Sequence, residues 1–284
     1  MKIVTSLLPD RYVGMQQVGV KLLDKDFIFW EPDKKPMFDM LEDIQPDVIL
    51  IDLKYVDESV VEASKSTKAK LILFGNGVPQ DLNVRAVCTV PSVSPIVKKH
   101  LENGDHKVTY IKDYADVCTI FGGEVDPLLQ CDIGYISHDK NPDKLMKKLE
   151  IFSALNNHNL KIVGNVKIPI PKFLGGIKTN RISSFMKSCK ILIDYDGDIL
   201  LDAAANGAFV LSNTINSLYP ILDSENIKKF LSPDSPRNKI AKNRQATILA
   251  NDTCYHRFAQ LMTDIDELDI AEKATQEAIK CAAV

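Results

Sequence analysis

The residues best suited to chemistry lie in one stretch, Asp194-Tyr195-Asp196-Gly197-Asp198-Ile199-Leu200-Leu201-Asp202-Ala203-Ala204-Ala205-Asn206-Gly207. An apolar run ends in two acids, Gly197 offers a tight turn, Asp198 can N-cap, and Gly207 can close a short helix in the left-handed conformation. Asp202 is the one charged residue of that apolar helix, and a carboxylate there costs free energy unless it is paired or accepts hydrogen bonds. Two readings stay open: a structural partner Lys or Arg, or hydroxyl groups of a ligand, such as those of a ribose. A second group, Gly175-Gly176-Ile177-Lys178-Thr179-Asn180-Arg181, puts two cations behind a glycine pair, where backbone passes close to a neighbour and an anion could be held. His138 and Lys140 directly follow the apolar run 132–137. In the first half Asp10 follows the first apolar run, and Asn76 and Gly77 follow the fourth. Loops at strand ends are where acid–base and substrate-positioning groups belong, although an N-cap explains Asp10 as well.

These residues must be positioned by regular elements, and the apolar pattern supplies them. Short apolar runs alternate with amphipathic ones, the mark of βα units around a parallel sheet. Strands are expected at 2–8, 27–30, 47–53, 70–74, 84–90 and 107–111, with helices at 10–23, 36–44, 58–66 and 95–102. After Phe121-Gly122-Gly123-Glu124-Val125-Asp126-Pro127 the pattern restarts. Strands are then expected at 132–137, 160–163, 190–195 and 208–212. Asn141-Pro142 starts a helix as N-cap and first-turn proline, and helices fill the rest. The expected fold is α/β, with two Rossmann-like domains facing each other across a cleft: 1–120, a linker 121–130, and 131–284, whose last helix packs back on the first domain.

Composition narrows the class. The chain has 284 residues, 45% hydrophobic and 26% charged, which excludes disordered, collagenous and disulfide-framework proteins. No stretch reaches the roughly 20 apolar residues that span a bilayer, so a cytoplasmic protein is expected. The six cysteines stand singly, without metal-type C-x-x-C spacing. The net charge of −3 conceals a division: residues 139–190 hold 11 basic and 3 acidic residues, whereas 1–120 hold 15 and 18 and 191–284 hold 9 and 14. Lys144, Lys147 and Lys148 fall on the polar face of their expected helix, a solvated face by default.

Two longer runs resemble a known family. Asn180-Arg181-Ile182-Ser183-Ser184-Phe185-Met186-Lys187-Ser188-Cys189-Lys190-Ile191-Leu192-Ile193-Asp194 is followed by Leu201-Asp202-Ala203-Ala204-Ala205-Asn206-Gly207-Ala208-Phe209-Val210-Leu211. Arg237-Asn238-Lys239-Ile240-Ala241-Lys242-Asn243-Arg244 is followed by 249–261, with Tyr255-His256-Arg257 inside it. Together with Val125-Asp126-Pro127 these are similar to the GT-B glycosyltransferases, in particular the spore-maturation-type group and compact phage-type DNA glycosyltransferases. Asp202 stands where that family usually has Glu, Asp194 where it often has Asn, and the Arg that often precedes the acid is missing.

The resemblance implies transfer of a sugar from a nucleotide-sugar donor, a UDP-sugar, to a hydroxyl acceptor without a metal or a cofactor. It implies donor binding by Asp202, Gly197, Asp198, Gly176, Lys178, Arg181, His138 and Lys140. Asp10 would be the catalytic base, and Asn76 and Gly77 would bind acceptor. Duplex DNA carrying hydroxymethylated bases is one acceptor it suggests, because the basic block suits phosphate contacts, with protein, lipid-linked and small-molecule hydroxyls the others, and a bacterium or a phage-infected cell would be the setting. A nucleotide-sugar epimerase and a non-catalytic two-lobed nucleotide-sugar-binding protein are the alternatives.

Overall fold

The structure is a computed structural model that describes residues 1–8, 12–75, 86–89, 107–139, 141–151, 158–164, 173–195, 197, 199–213 and 219–283. Its contacts divide the chain into two compact units, Met1–Tyr114 with Thr253–Val284, and Ala115–Asp252. Both are α/β with a parallel sheet, as the alternating apolar runs predict. The sequence reading placed 131–284 in the second domain with its last helix packing back on the first; the contacts group the whole of 253–284 with the first unit.

The first unit contains β1 (Ile3–Thr5), α1 (Val13–Leu23), β2 (Phe27–Phe29), α2 (Met37–Ile44), β3 (Val48–Asp52), α3 (Glu58–Ser66), β4 (Lys70–Phe74), β5 (Ala86–Thr89) and β6 (Lys107–Tyr110). The strands form one sheet in the order β2-β1-β3-β4-β5-β6, all neighbours parallel. Every residue of β3 is buried, which explains its unbroken apolar run, because a parallel strand is covered on both faces. Val4, Ile49, Ile51, Leu71 and Leu73 meet Met37, Met40 and Trp30 in one core. Asp57 starts α3 by accepting the Val60 amide at 3.0 Å, and Gln45 ends α2 at a φ of 49°.

Two tail helices complete this unit. The second unit's own helices intervene in the chain and are named next: α4 (Pro142–Ile151), α5 (Thr179–Ser188), α6 (Leu200–Ala205), α7 (Ser224–Leu231) and α8 (Arg237–Asn251), so that the tail helices are α9 (Cys254–Asp264) and α10 (Leu268–Ala282). Thr253 and His256 form a capping box that starts α9. Lys21 of α1 donates to Tyr255 Oη at 2.6 Å and to Glu277 at 2.9 Å. Lys70 of β4 pairs with Glu267 at 2.6 Å, and Thr109 of β6 donates to Asp264 at 2.6 Å. Arg257 donates to the Lys112 carbonyl.

The second unit has four parallel strands, β7 (Cys131–Ser137), β8 (Leu160–Gly164), β9 (Cys189–Asp194) and β10 (Val210–Ser212), in the order β10-β9-β7-β8. Phe173 adds a parallel bridge to Ile162 beside β8. Ile133, Tyr135, Ile191, Ile193, Phe209 and Leu211 share a core with Ile227 and Phe230 of α7. The segment before β7 is laid along α5 and α6 by side-chain bonds to its backbone. Asp202 accepts from the Asp116 amide at 2.6 Å, Ser183 from Gly123 at 2.7 Å and Ser188 from Asp126 at 2.9 Å, while Asn206 donates to the Ile120 carbonyl at 2.7 Å. Gly123 is required there: a Cβ would lie 2.1 Å from Ser183 Oγ and 2.6 Å from the Ser184 amide nitrogen. Among the described residues no helix is long and apolar enough to cross a membrane.

Candidate functional site

Each sheet has a point where the chain reverses its direction of growth. In the second unit β7 is followed by β8 on one side and then by β9 on the other. The crossovers leave in opposite directions there, and the carboxyl ends of strands at such a reversal, here β7 and β9, are where ligands of open α/β sheets bind. The expected donor residues can be read against that edge.

From β7, Ser137 is buried and His138 is exposed. Asp139 receives Lys148 from α4 at 2.9 Å, in an ion pair only 15% and 13% exposed. Lys148 Nζ also lies 5.3 Å from the centre of the Tyr195 ring, just past β9. This lysine is therefore drawn into the edge of the sheet and is not part of a solvated face. From β9, Asp194 is buried and accepts from Ser212 Oγ of β10 at 3.2 Å. Gly197 turns the chain at a φ of 88°, a conformation open to glycine, and α6 begins three residues later.

Asp202 lies in the first turn of α6. Among the described residues its carboxyl is met by the Asp116 amide and by no Lys or Arg. Burial pushes its pKa up to about 7, with the nearby Asp116 carboxylate adding to the rise and the amide hydrogen bond opposing it. The group can thus exchange a proton near neutrality, which an exposed aspartate does not do.

Gly176 and Lys178 are exposed and lie between the bridge at Phe173 and the start of α5. Leu174 donates to the Ile162 carbonyl, and Gly164 to that of Gly175, so this loop leaves at the same carboxyl edge as β8. Arg181, one turn into α5, is bonded to Asp126 of the segment before β7, and this contact holds the Asp126 carboxyl below its ordinary range. Its charge is directed at the chain itself. Asp10, Asn76, Gly77, Lys140 and Asp198 lie outside the described residues.

Two groups at this edge were not singled out from the sequence. Tyr219 donates to the carbonyl of Leu200, the first residue of α6, at 3.3 Å. The Arg244 guanidinium of α8 stacks on the Tyr219 ring at 4.4 Å. Its NH1 group is buried without a hydrogen-bond partner among the described residues, and burial lowers its pKa. A buried guanidinium donor left open costs free energy until an acceptor reaches it. The sequence offered Arg244 only as one letter of a tail pattern; that Tyr219 lies under it is not visible in local spacing.

The first unit has its own reversal between β1 and β3. Beyond it, Gln16 is buried and donates to Thr5 Oγ1 and to the Ser6 carbonyl at 2.9 and 2.7 Å. Ser6 Oγ accepts the Asp52 amide at 2.9 Å, and the Asp52 side chain caps the turn that follows. Asp52 is 7% exposed. A carboxylate closing an apolar strand was the signal for it.

No protein-family model and no curated protein matches the sequence. Solved structures do match in fold. A glycosyltransferase from Rickettsia africae ESF-5 aligns with a TM-score of 0.64 at 15% identity, over 96% of this chain and 98% of that one. HepE of Anabaena, in complex with UDP, aligns with a TM-score of 0.65 at 11% identity, over 94% of this chain and 100% of that one. Sucrose-phosphate synthase from Thermosynechococcus elongatus aligns with a TM-score of 0.63 at 9% identity, over 95% and 100%. The fold is that of the GT-B glycosyltransferases.

Proposed function

We propose that this chain transfers a sugar from a nucleotide-sugar donor, a UDP-sugar, to a hydroxyl acceptor. The observation that carries the reading is the whole-length likeness in fold to HepE, whose structure holds UDP. Two features of the second unit support it: Asp202, at the start of α6, has a carboxyl pushed up to about 7 by burial, and Arg244 of α8 keeps a buried guanidinium donor open among the described residues.

In such a transfer the bond from the anomeric carbon to the diphosphate breaks, and negative charge grows on the leaving group. Positive groups fixed there in advance lower the barrier. Arg244 and Lys178 are the residues we assign to that task, with Gly176, Gly197, Asp198, His138 and Lys140 shaping the donor pocket and Arg181 held in reserve on Asp126. Asp202 would accept the ribose hydroxyls. Side chains then do the work of a divalent ion, and activity is expected to survive a chelator. On the first unit the base is Asp10, and Asn76 and Gly77 hold the acceptor; Asp52, beside the reversal between β1 and β3, is the second choice for the base.

The acceptor is a hydroxyl compound. Duplex DNA with hydroxymethylated bases was suggested by the basic block 139–190, but much of that charge is engaged. Lys148, Arg181 and Lys190 each meet a carboxylate, and Lys161 donates to the Leu128 carbonyl. DNA acceptance is therefore one arm of the test and not its premise. Thermal denaturation with a panel of nucleoside diphosphates should show selective stabilisation by UDP, and donor turnover should rise with a suitable hydroxyl acceptor. Absence of any nucleotide-dependent shift overturns the reading, and stabilisation without turnover by any acceptor would leave a binding protein.

A further inference from the structure

At the opposite, amino edge of the four-stranded sheet, β7 and β9 begin on directly paired residues, Cys131 and Cys189. Their sulfurs lie 3.5 Å apart, and both cysteines are free thiols. Adjacent strands run roughly 4.8 Å apart, which falls within the Cα separation of about 4.4–6.8 Å that a disulfide spans. Closure therefore needs side-chain rotation and no movement of the sheet. Room for the Cys189 side chain comes from Gly134, where a Cβ would lie 2.1 Å from Cys189 Sγ.

Both thiols are nearly buried, yet they line a depression of about 700 Å³. Lys187, Arg237 and Lys242 also line it, and Asp132, the one acidic lining residue among the described residues, is paired with Lys190. The rim is thus net positive and the floor is a dithiol. We propose that Cys131 and Cys189 form a reversible dithiol–disulfide pair, oxidised by a small anionic disulfide that the basic rim admits. The neighbouring Cys189 thiol, aided by the Lys161 ammonium, draws Cys131 below the ordinary thiol value against the effect of burial. Contact with Cys131, followed by burial, holds Cys189 well above it. Cys131 is then the thiolate that attacks.

The Cys131 thiolate forms a bond to one sulfur of the incoming disulfide, whose S–S bond breaks and releases a thiolate. That thiolate takes the Cys189 proton, and the Cys189 thiolate attacks the Cys131 sulfur, expelling the second small thiolate, which takes from water the proton that Cys131 gave up on ionising. Two protein thiols are oxidised and one small disulfide is reduced to two thiols. The link joins the starts of two core strands and constrains the unfolded second unit.

Oxidised glutathione tests this on the full chain, with dithiothreitol as the reverse reagent. Peptide mapping without reduction should give a 131–189 bridged pair with loss of two hydrogens, and unfolding should move upward by on the order of 10 °C and return on reduction. Cys189→Ser should stop at a glutathione adduct on Cys131, Cys131→Ser should form neither adduct nor bridge at this site, and added salt should slow the reaction by screening the rim. The proposal is overturned if both thiols stay alkylatable under conditions that modify the more exposed Cys118 and Cys281. It is equally overturned if Cys189→Ser carries no adduct on Cys131.

Discussion

Asp202 is a carboxyl whose ionisation costs the folded state free energy. Its carboxyl titrates near 7 when folded, against an ordinary value of 3.8. Protonation therefore favours the folded state: the contribution is complete below about pH 3.8 and is lost as pH rises through about 7. Asp202→Asn keeps an oxygen for the Asp116 amide and removes the charge. By urea denaturation at pH 8 it should be more stable than the parent by on the order of 2–4 kcal/mol, and the gap should close by pH 4. If Asp202 holds the donor ribose, the same variant should lose UDP-dependent stabilisation, so stability and binding move in opposite directions. Arg244→Met keeps an apolar stem against Tyr219 and removes the open donor. Its affinity for UDP, followed by calorimetry, should fall about tenfold or more, which is about 1.4 kcal/mol. The sequence made Asp202 conspicuous because it is the lone charge in an apolar helix. Arg244 was hidden because its partner is distant in sequence and its peculiarity, a buried open N–H, exists only after packing.

Among the elements, the central strands were the most legible. β3, β4, β7 and β9 are buried along nearly their whole length, so each reads as a continuous apolar run bounded by turn residues. The segment 115–129 was legible only as a break between two patterns, since its order comes from Ser183, Ser188, Asp202 and Asn206, which hold its backbone from two other helices. Such side-chain to backbone bonds leave no periodic trace in either partner. Gly123→Ala tests them. The added carbon would meet both Ser183 Oγ and the Ser184 backbone, and the expected cost is about 1–3 kcal/mol, read as a lowered midpoint of denaturation with unchanged slope.

Across the whole molecule, the two-sheet architecture was readable because apolar patterning restarts after residue 127. For the tail, the sequence reading sent only the last helix to the first domain, because α9 is amphipathic and would suit either sheet; Lys21, Lys70 and Thr109 bind both tail helices to the first unit by reaching Tyr255, Glu267, Glu277 and Asp264. These contacts close long loops, with Lys21 and Tyr255 separated by 234 positions. The second unit, in contrast, is one continuous segment whose ends are joined by the Ala115 amide and the Asp252 carbonyl at 2.8 Å.

That single hydrogen bond has a kinetic meaning. Once 115–252 has folded, its two ends coincide, and the tail finds α1 as though across a much shorter loop. Loop closure costs only about 0.6 kcal/mol per doubling of length, so the assistance amounts to a few-fold in rate. The order of events can be watched without labels, because the chain has a single tryptophan and Trp30 is buried in the first unit. Its fluorescence should recover later than the overall helical signal on refolding. Gly123→Ala, which loosens only the second unit, should slow the Trp30 phase although the substitution lies outside the unit that Trp30 reports; an unchanged Trp30 phase would mean that the two units fold independently.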